Sequence, residues 1–67
     1  MHNNLVQNII DLYVATPRHD FRVEDLIYGI GISPNSAHNI MEYIVSCEKS
    51  QEPEDLYFSR EKIASLI

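Results

Sequence analysis

The chain has 67 residues, with ten Asp and Glu against five Lys and Arg and a formal net charge of −5. A chain this short buries only roughly 60% of its unfolded surface, and its one cysteine, Cys47, excludes an internal disulfide. No apolar run reaches the ~18 residues of a membrane span, and the opening stretch MHNNLVQNIIDLY lacks a signal peptide's basic segment and carries Asp11 inside its apolar part. One domain covering residues 1–67 is expected, cytoplasmic and unprocessed, with a net charge that opposes a polyanion at long range.

A first helix is expected over residues 4–15. Its apolar positions are Leu5, Val6, Ile9, Ile10, Leu12, Tyr13 and Val14, a stripe broader than a surface helix needs. Asn4 followed by Gln7 gives a capping-box pattern, and Thr16 before Pro17 ends the helix because a residue preceding proline leaves the helical region. Residues 17–20 are a polar connection. Phe21-Arg22-Val23 alternates like a short strand.

The second helix is expected over residues 23–30, with Glu24 and Asp25 in its first turn, where negative charge suits the helix dipole. Leu26, Ile27 and Ile30 form its inward side, and Gly31 suits the left-handed terminator. Ser33-Pro34 is the sharpest local signal: a favoured cap followed by a proline at the first helical position. The third helix then covers residues 34–47, with Ala37, Ile40, Met41, Ile44 and Val45 on one face. Asn35, His38, Asn39, Glu42, Tyr43 and Ser46 lie on the other. Residues 48–55 read as a loop, Leu56-Tyr57-Phe58 as a strand, and Ser59 as the cap of a last helix over 60–67. The expected core is Leu5, Ile9, Leu12, Tyr13, Leu26, Ile30, Ile32, Ala37, Ile40, Met41 and Ile44.

With these elements in place, the chain resembles helix-turn-helix proteins, more closely the winged variety found in small bacterial, plasmid and phage regulators. Leu26 fits the apolar position of that pattern's first helix, Gly31-Ile32-Ser33 fits its turn, and Ala37 and Ile40 fit inward positions of its recognition helix. The family's short strand falls at Phe21–Val23 and its returning wing strand at Leu56–Phe58. The resemblance implies a mainly α, winged-helix-like fold with a short or degenerate two-stranded wing and a short C-terminal helix. It also implies regulatory DNA binding through residues 34–47. Three departures stand out. Ile27 occupies a place usually held by Ala, Arg22 stands where a capping side chain is usual, and the recognition helix has no Lys or Arg.

Two functions from different classes follow. As a DNA reader, the third helix would offer Asn35, Ser36, His38 and Asn39 to base edges, with phosphate contacts supplied by Arg18, Arg22, Lys49, Arg60 and Lys62. If the two short strands pair, Arg22 and Arg60 fall near one edge. As an acidic binding module or inhibitor, the chain would meet a basic protein surface instead, with Glu42, Tyr43, Tyr57, Ile63, Leu66 and Ile67 at the interface. The last helix either completes the core or pairs with a second copy in a homodimer. Solvent-facing polarity is the plain alternative for each surface residue. Catalysis is not expected. His2, His19, His38 and Cys47 lack metal-ligand spacing, and Gly29-Ile30-Gly31 is too short for a dinucleotide loop. No cofactor is implied.

Overall fold

The computed structural model describes the backbone of residues 2–67 and the side chains from Asn4 onward, Arg18 excepted. Four helical segments follow one another: α1 (His2–Ala15), α2 (Asp25–Ile30), α3 (Pro34–Ser50) and α4 (Arg60–Leu66). Short 3₁₀ turns lie at Arg18–Asp20 and Pro53–Asp55. The expectation of a mainly helical chain holds. The expected winged form does not, because no strand occurs among the described residues.

α1 begins at His2, so Asn4 lies within the helix and does not cap it. Gln7 serves elsewhere, its Nε2 donating to Asp11 Oδ1 at 2.7 Å. The C-terminal end is closed by Thr16. Its backbone N–H donates to the carbonyls of Leu12 (3.0 Å) and Tyr13 (3.3 Å), and its hydroxyl donates to Leu12 O at 2.7 Å. These bonds satisfy carbonyls that have no partner within the helix.

The second helix starts at residue 23 and widens into a π-helical turn over Asp25–Ile30. Arg22 brings no capping side chain, but Asp25 Oδ2 accepts the Arg22 backbone N–H at 2.8 Å, which is the reciprocal half of a capping box. Gly31 ends the segment at φ +89°. Leu26 O then accepts from both Gly31 N and Ile32 N, each at 3.1 Å. The first bond spans five residues, the step of a π turn and one more than in an α-helix, and the second spans six and closes the end. Leu26 is left fully buried, while Tyr28 and Gly29 face solvent.

α3 opens as expected. Ser33 is the cap, its Oγ accepting from Ser36 N at a long 3.5 Å, with Pro34 behind it. The helix continues beyond Cys47 to Ser50, since Glu48 and Lys49 both favour helix. Its inward positions are Ala37, Ile40, Ile44 and Cys47, all buried.

That continuation explains the missing wing. The chain leaves the helix only at Gln51, and residues 51–59 must reach α4 with Pro53 among them. Gln51 supplies what a neighbouring strand would have given. Its Oε1 accepts the Tyr57 N–H at 2.7 Å, and its Nε2 donates to Tyr57 O at 3.0 Å. One side-chain amide thus replaces a ladder partner. The other expected strand also resolves as a connector, with Phe21 extended and helix resuming at residue 23. The two segments converge on Tyr13 and not on each other. Phe21 and Phe58 both meet the Tyr13 ring edge-on, with centroids 5.1 and 5.0 Å away.

The core is Val6, Ile9, Phe21, Leu26, Ile32, Ala37, Ile40, Ile44, Cys47 and Ile63. Leu12, Tyr13, Ile30 and Met41, also expected there, pack against it from half-buried positions, and Leu5 is half-buried as well. From the sequence, Ile63 is a candidate for an interface, on a last helix that either completes the core or pairs with a second copy. The helix completes the core: Ile63 is fully buried, so it is no interface residue, and it holds the seven-residue α4 against α1 and α3. An isolated helix of that length is not stable in water, so packing is what keeps it formed. Leu66 and Ile67 also rest on the core, half-buried.

Candidate functional site

Two surfaces need to be weighed. The first is the outer face of α3, where Asn35, His38 and Asn39 are exposed as expected and Ser36 is half-exposed. Glu42 and Ser46 continue that face, and Lys49 joins it only in the last turn. Tyr43 does not belong to it. Its ring lies against Phe58 at 6.3 Å, and its hydroxyl oxygen accepts the Ser59 N–H at 2.8 Å. Burial pushes the Tyr43 phenol up from its ordinary range, while the Ser59 hydrogen bond acts in the opposite direction. A residue expected at an interface therefore ties α3 to the cap of α4.

The cations expected to grip phosphate are dispersed. Arg22 is exposed at the entry to the second helix, and Lys49 and Lys62 are exposed on α3 and α4. Arg60 turns to α1, its guanidinium Nη2 donating to Gln7 Oε1. The same Gln7 donates to Asp11, so Arg60, Gln7 and Asp11 form a hydrogen-bonded chain. Without paired strands, the reason for placing Arg22 beside Arg60 is gone. The Arg18 side chain lies outside the described residues.

The second surface is a cleft of about 260 Å³ between the last turns of α1 and the segment entering α4. Ile10, Tyr13, Leu56 and Phe58 line it, Val14 and Tyr57 stand beside them, and Arg60 closes one side. Val14 is 76% exposed and Tyr57 69%. Large apolar groups left in water beside an apolar hollow are the kind of feature that marks binding surfaces. Of the residues named for interfaces from the sequence, Tyr57 alone lines this cleft. The excess width of the apolar stripe on α1 was the signal for the rest. Val6 and Ile9 fill the core, and Val14, on the same helix, is left over.

The cleft is rigidly built. Tyr13 is held by its edge-on contacts to Phe21 and Phe58 and by its hydroxyl, which donates to a Glu48 carboxylate oxygen. The Tyr57 backbone is held by Gln51 through both of its polar groups. Glu52, Glu54 and Asp55 are exposed immediately before Leu56. No cluster of His, Cys, Asp or Glu suited to a metal occurs among the described residues. None of their buried side-chain polar atoms lacks a partner. No helix among the described residues is long and apolar enough to cross a membrane. Comparison of the chain with protein-family models, with curated proteins and with solved structures returned no match.

Proposed function

We propose that the protein is an acidic protein-interaction module whose partner presents a basic surface. The observation that carries this reading is an apolar cleft whose lining begins at Leu56, directly after the exposed acids Glu52, Glu54 and Asp55, on a chain of net charge −5. Between Val23 and Glu48 there is no Lys or Arg, whereas Glu24, Glu42, Glu52, Glu54 and Asp55 all face solvent. Opposite charge on a partner would steer encounter, and apolar contact would supply most of the affinity. The buried thiol of Cys47 suits a reducing compartment, and we assign the protein to the cytoplasm.

A second reading has one observation in its favour. Asn35, His38 and Asn39 are exposed along the first half of a 17-residue helix. Amide and imidazole groups of this kind can read base edges. In that reading the protein is a small DNA-binding regulator, and Arg22, Lys49 and Lys62 take the phosphates.

The two readings separate in one titration series. The protein is titrated with random-sequence duplex DNA, and separately with an amphipathic peptide carrying Leu on one helical face and Lys on the other, at several salt concentrations. The expected result is peptide binding that weakens with salt, and no DNA binding at low salt. DNA affinity falling steeply with salt, through release of counterions from neutralised phosphates, would overturn the interaction-module reading. So would failure of the peptide to bind.

A further inference from the structure

We infer that the α1 cleft is the anchor point for the partner, and that its occupant is an aliphatic side chain on a segment flanked by Lys or Arg. This rests on the interaction-module reading and names the site and the chemistry of what fills it. At about 260 Å³, the cleft is smaller than the ~300–1,000 Å³ usual for small-molecule pockets. It suits one or two inserted side chains.

Its lining selects an apolar group. Ile10, Leu56 and Phe58 offer hydrocarbon and aromatic surface, and the two exposed residues at the mouth would be covered when an anchor enters. Tyrosine is over-represented among residues that dominate binding energy, and Tyr57 stands at that mouth on a backbone already fixed by Gln51. Little ordering cost then remains for the cleft itself.

Charge decides what flanks the anchor. Glu52, Glu54 and Asp55 lead directly into Leu56, and Asp11 lies on α1 between the lining residues Ile10 and Val14. Arg60 is the one cation in the lining. It keeps its charge while bonded to the neutral Gln7 amide, which also holds Asp11. Asp11 therefore lies close enough to offset it, and Glu52, Glu54 and Asp55 leave the surroundings net acidic. A second copy would bring a chain of net charge −5 and the same acidic turn against this rim. Like charges within a Debye length of about 8 Å repel. A basic segment of another protein is complementary where a second copy is not.

The experiment uses the full chain and the labelled Leu/Lys peptide, read by fluorescence anisotropy. Val14→Asp and Tyr57→Ala change exposed side chains, and circular dichroism checks that both variants keep parental helicity. Each is expected to weaken peptide binding by about tenfold or more, as loss of an interface anchor does. Glu54→Lys with Asp55→Lys is expected to weaken binding and to flatten its salt dependence. Asn39→Ala on α3 should leave binding unchanged. If the parent binds but Val14→Asp and Tyr57→Ala stay within about twofold of it, the cleft assignment is wrong and the acidic-module reading survives. If the parent does not bind, both fail. A parent that sediments as a dimer, and as a monomer once Val14 is Asp, would overturn the basic partner in favour of a second copy.

Discussion

Replacing Ile63 with alanine tests the packing on which the rest of the structure depends. The side chain is fully buried, on a helix of seven residues that has no stability of its own. Truncating a buried Ile to Ala costs about 2–5 kcal/mol, partly as lost transfer energy and partly as the cavity left behind. Zero exposure and contacts of α4 with both α1 and α3 place the expected loss at about 3–4 kcal/mol. A 67-residue domain has roughly 3–10 kcal/mol in total, so this is a large share. With a urea slope of about 1 kcal/mol/M, the midpoint should fall by roughly 3–4 M. If the parent midpoint lies below that, the variant is unfolded before urea is added, and Ile63→Val, at about 0.5–1.5 kcal/mol, supplies the measurable step. Urea melts followed by far-ultraviolet circular dichroism give the numbers, with Lys62→Ala, one residue away and exposed, as the control. If Ile63→Ala unfolded at the same urea concentration as Lys62→Ala, α4 would not be docked on the core. Ile63 would then be free for the interface that the sequence alone suggested.

Four further substitutions probe particular devices. The two glycines should respond with opposite signs in thermal melts. Gly31→Ala is expected to destabilise by about 1–2 kcal/mol, since φ +89° disfavours any side chain even with open space around it. Gly29→Ala should stabilise by about 0.5–1 kcal/mol, because its Cβ would meet Leu12 Cδ2 at an ordinary 3.6 Å; equal responses would refute the conformational assignment. Gln51→Ala removes both bonds to the Tyr57 backbone and should cost about 1–2 kcal/mol. Amide exchange at Tyr57 should rise with it, and unchanged exchange would show that the side-chain clamp is not formed in solution. Tyr43 should ionise above the ordinary tyrosine value of about 10 in an alkaline spectrophotometric titration, because burial raises its folded-state pKa. With the folded pKa raised, its contribution to stability is fully present below that ordinary value and is lost as pH rises through the folded pKa. Tyr43→Phe should therefore flatten the alkaline fall in stability while costing about 0.5–1.5 kcal/mol at neutral pH, and an unchanged alkaline profile would contradict the assignment.

Local chemistry was legible wherever a few neighbouring residues decide the outcome. The Ser33 cap with Pro34, the left-handed Gly31, the stop at Thr16-Pro17 and the cap at Ser59 each depend on bonds within one turn. Helical periodicity likewise picked out Leu26, Ala37, Ile40 and Ile44 as inward. Asn4 failed as a cap because the helix had already begun at His2.

What the sequence could not decide was competition between distant segments for the same partner. Leu56-Tyr57-Phe58 has the propensity of a strand, but a strand needs a neighbour, and the nearest polar group is the Gln51 amide. Phe21 and Phe58 both read as strand residues, yet both serve as edge-on partners of Tyr13. Periodicity showed that α1 carries more apolar surface than one core contact can cover. It could not show which part would remain uncovered. That choice fell to Ile63 and Phe21, which complete the core beside Val6 and Ile9 and leave Val14 at the mouth of the cleft. Turn and cap chemistry act over a few residues and are written in the sequence. The allocation of apolar surface between core and cleft depends on how residues far apart in the chain pack together, and it was decided only when all four helices met.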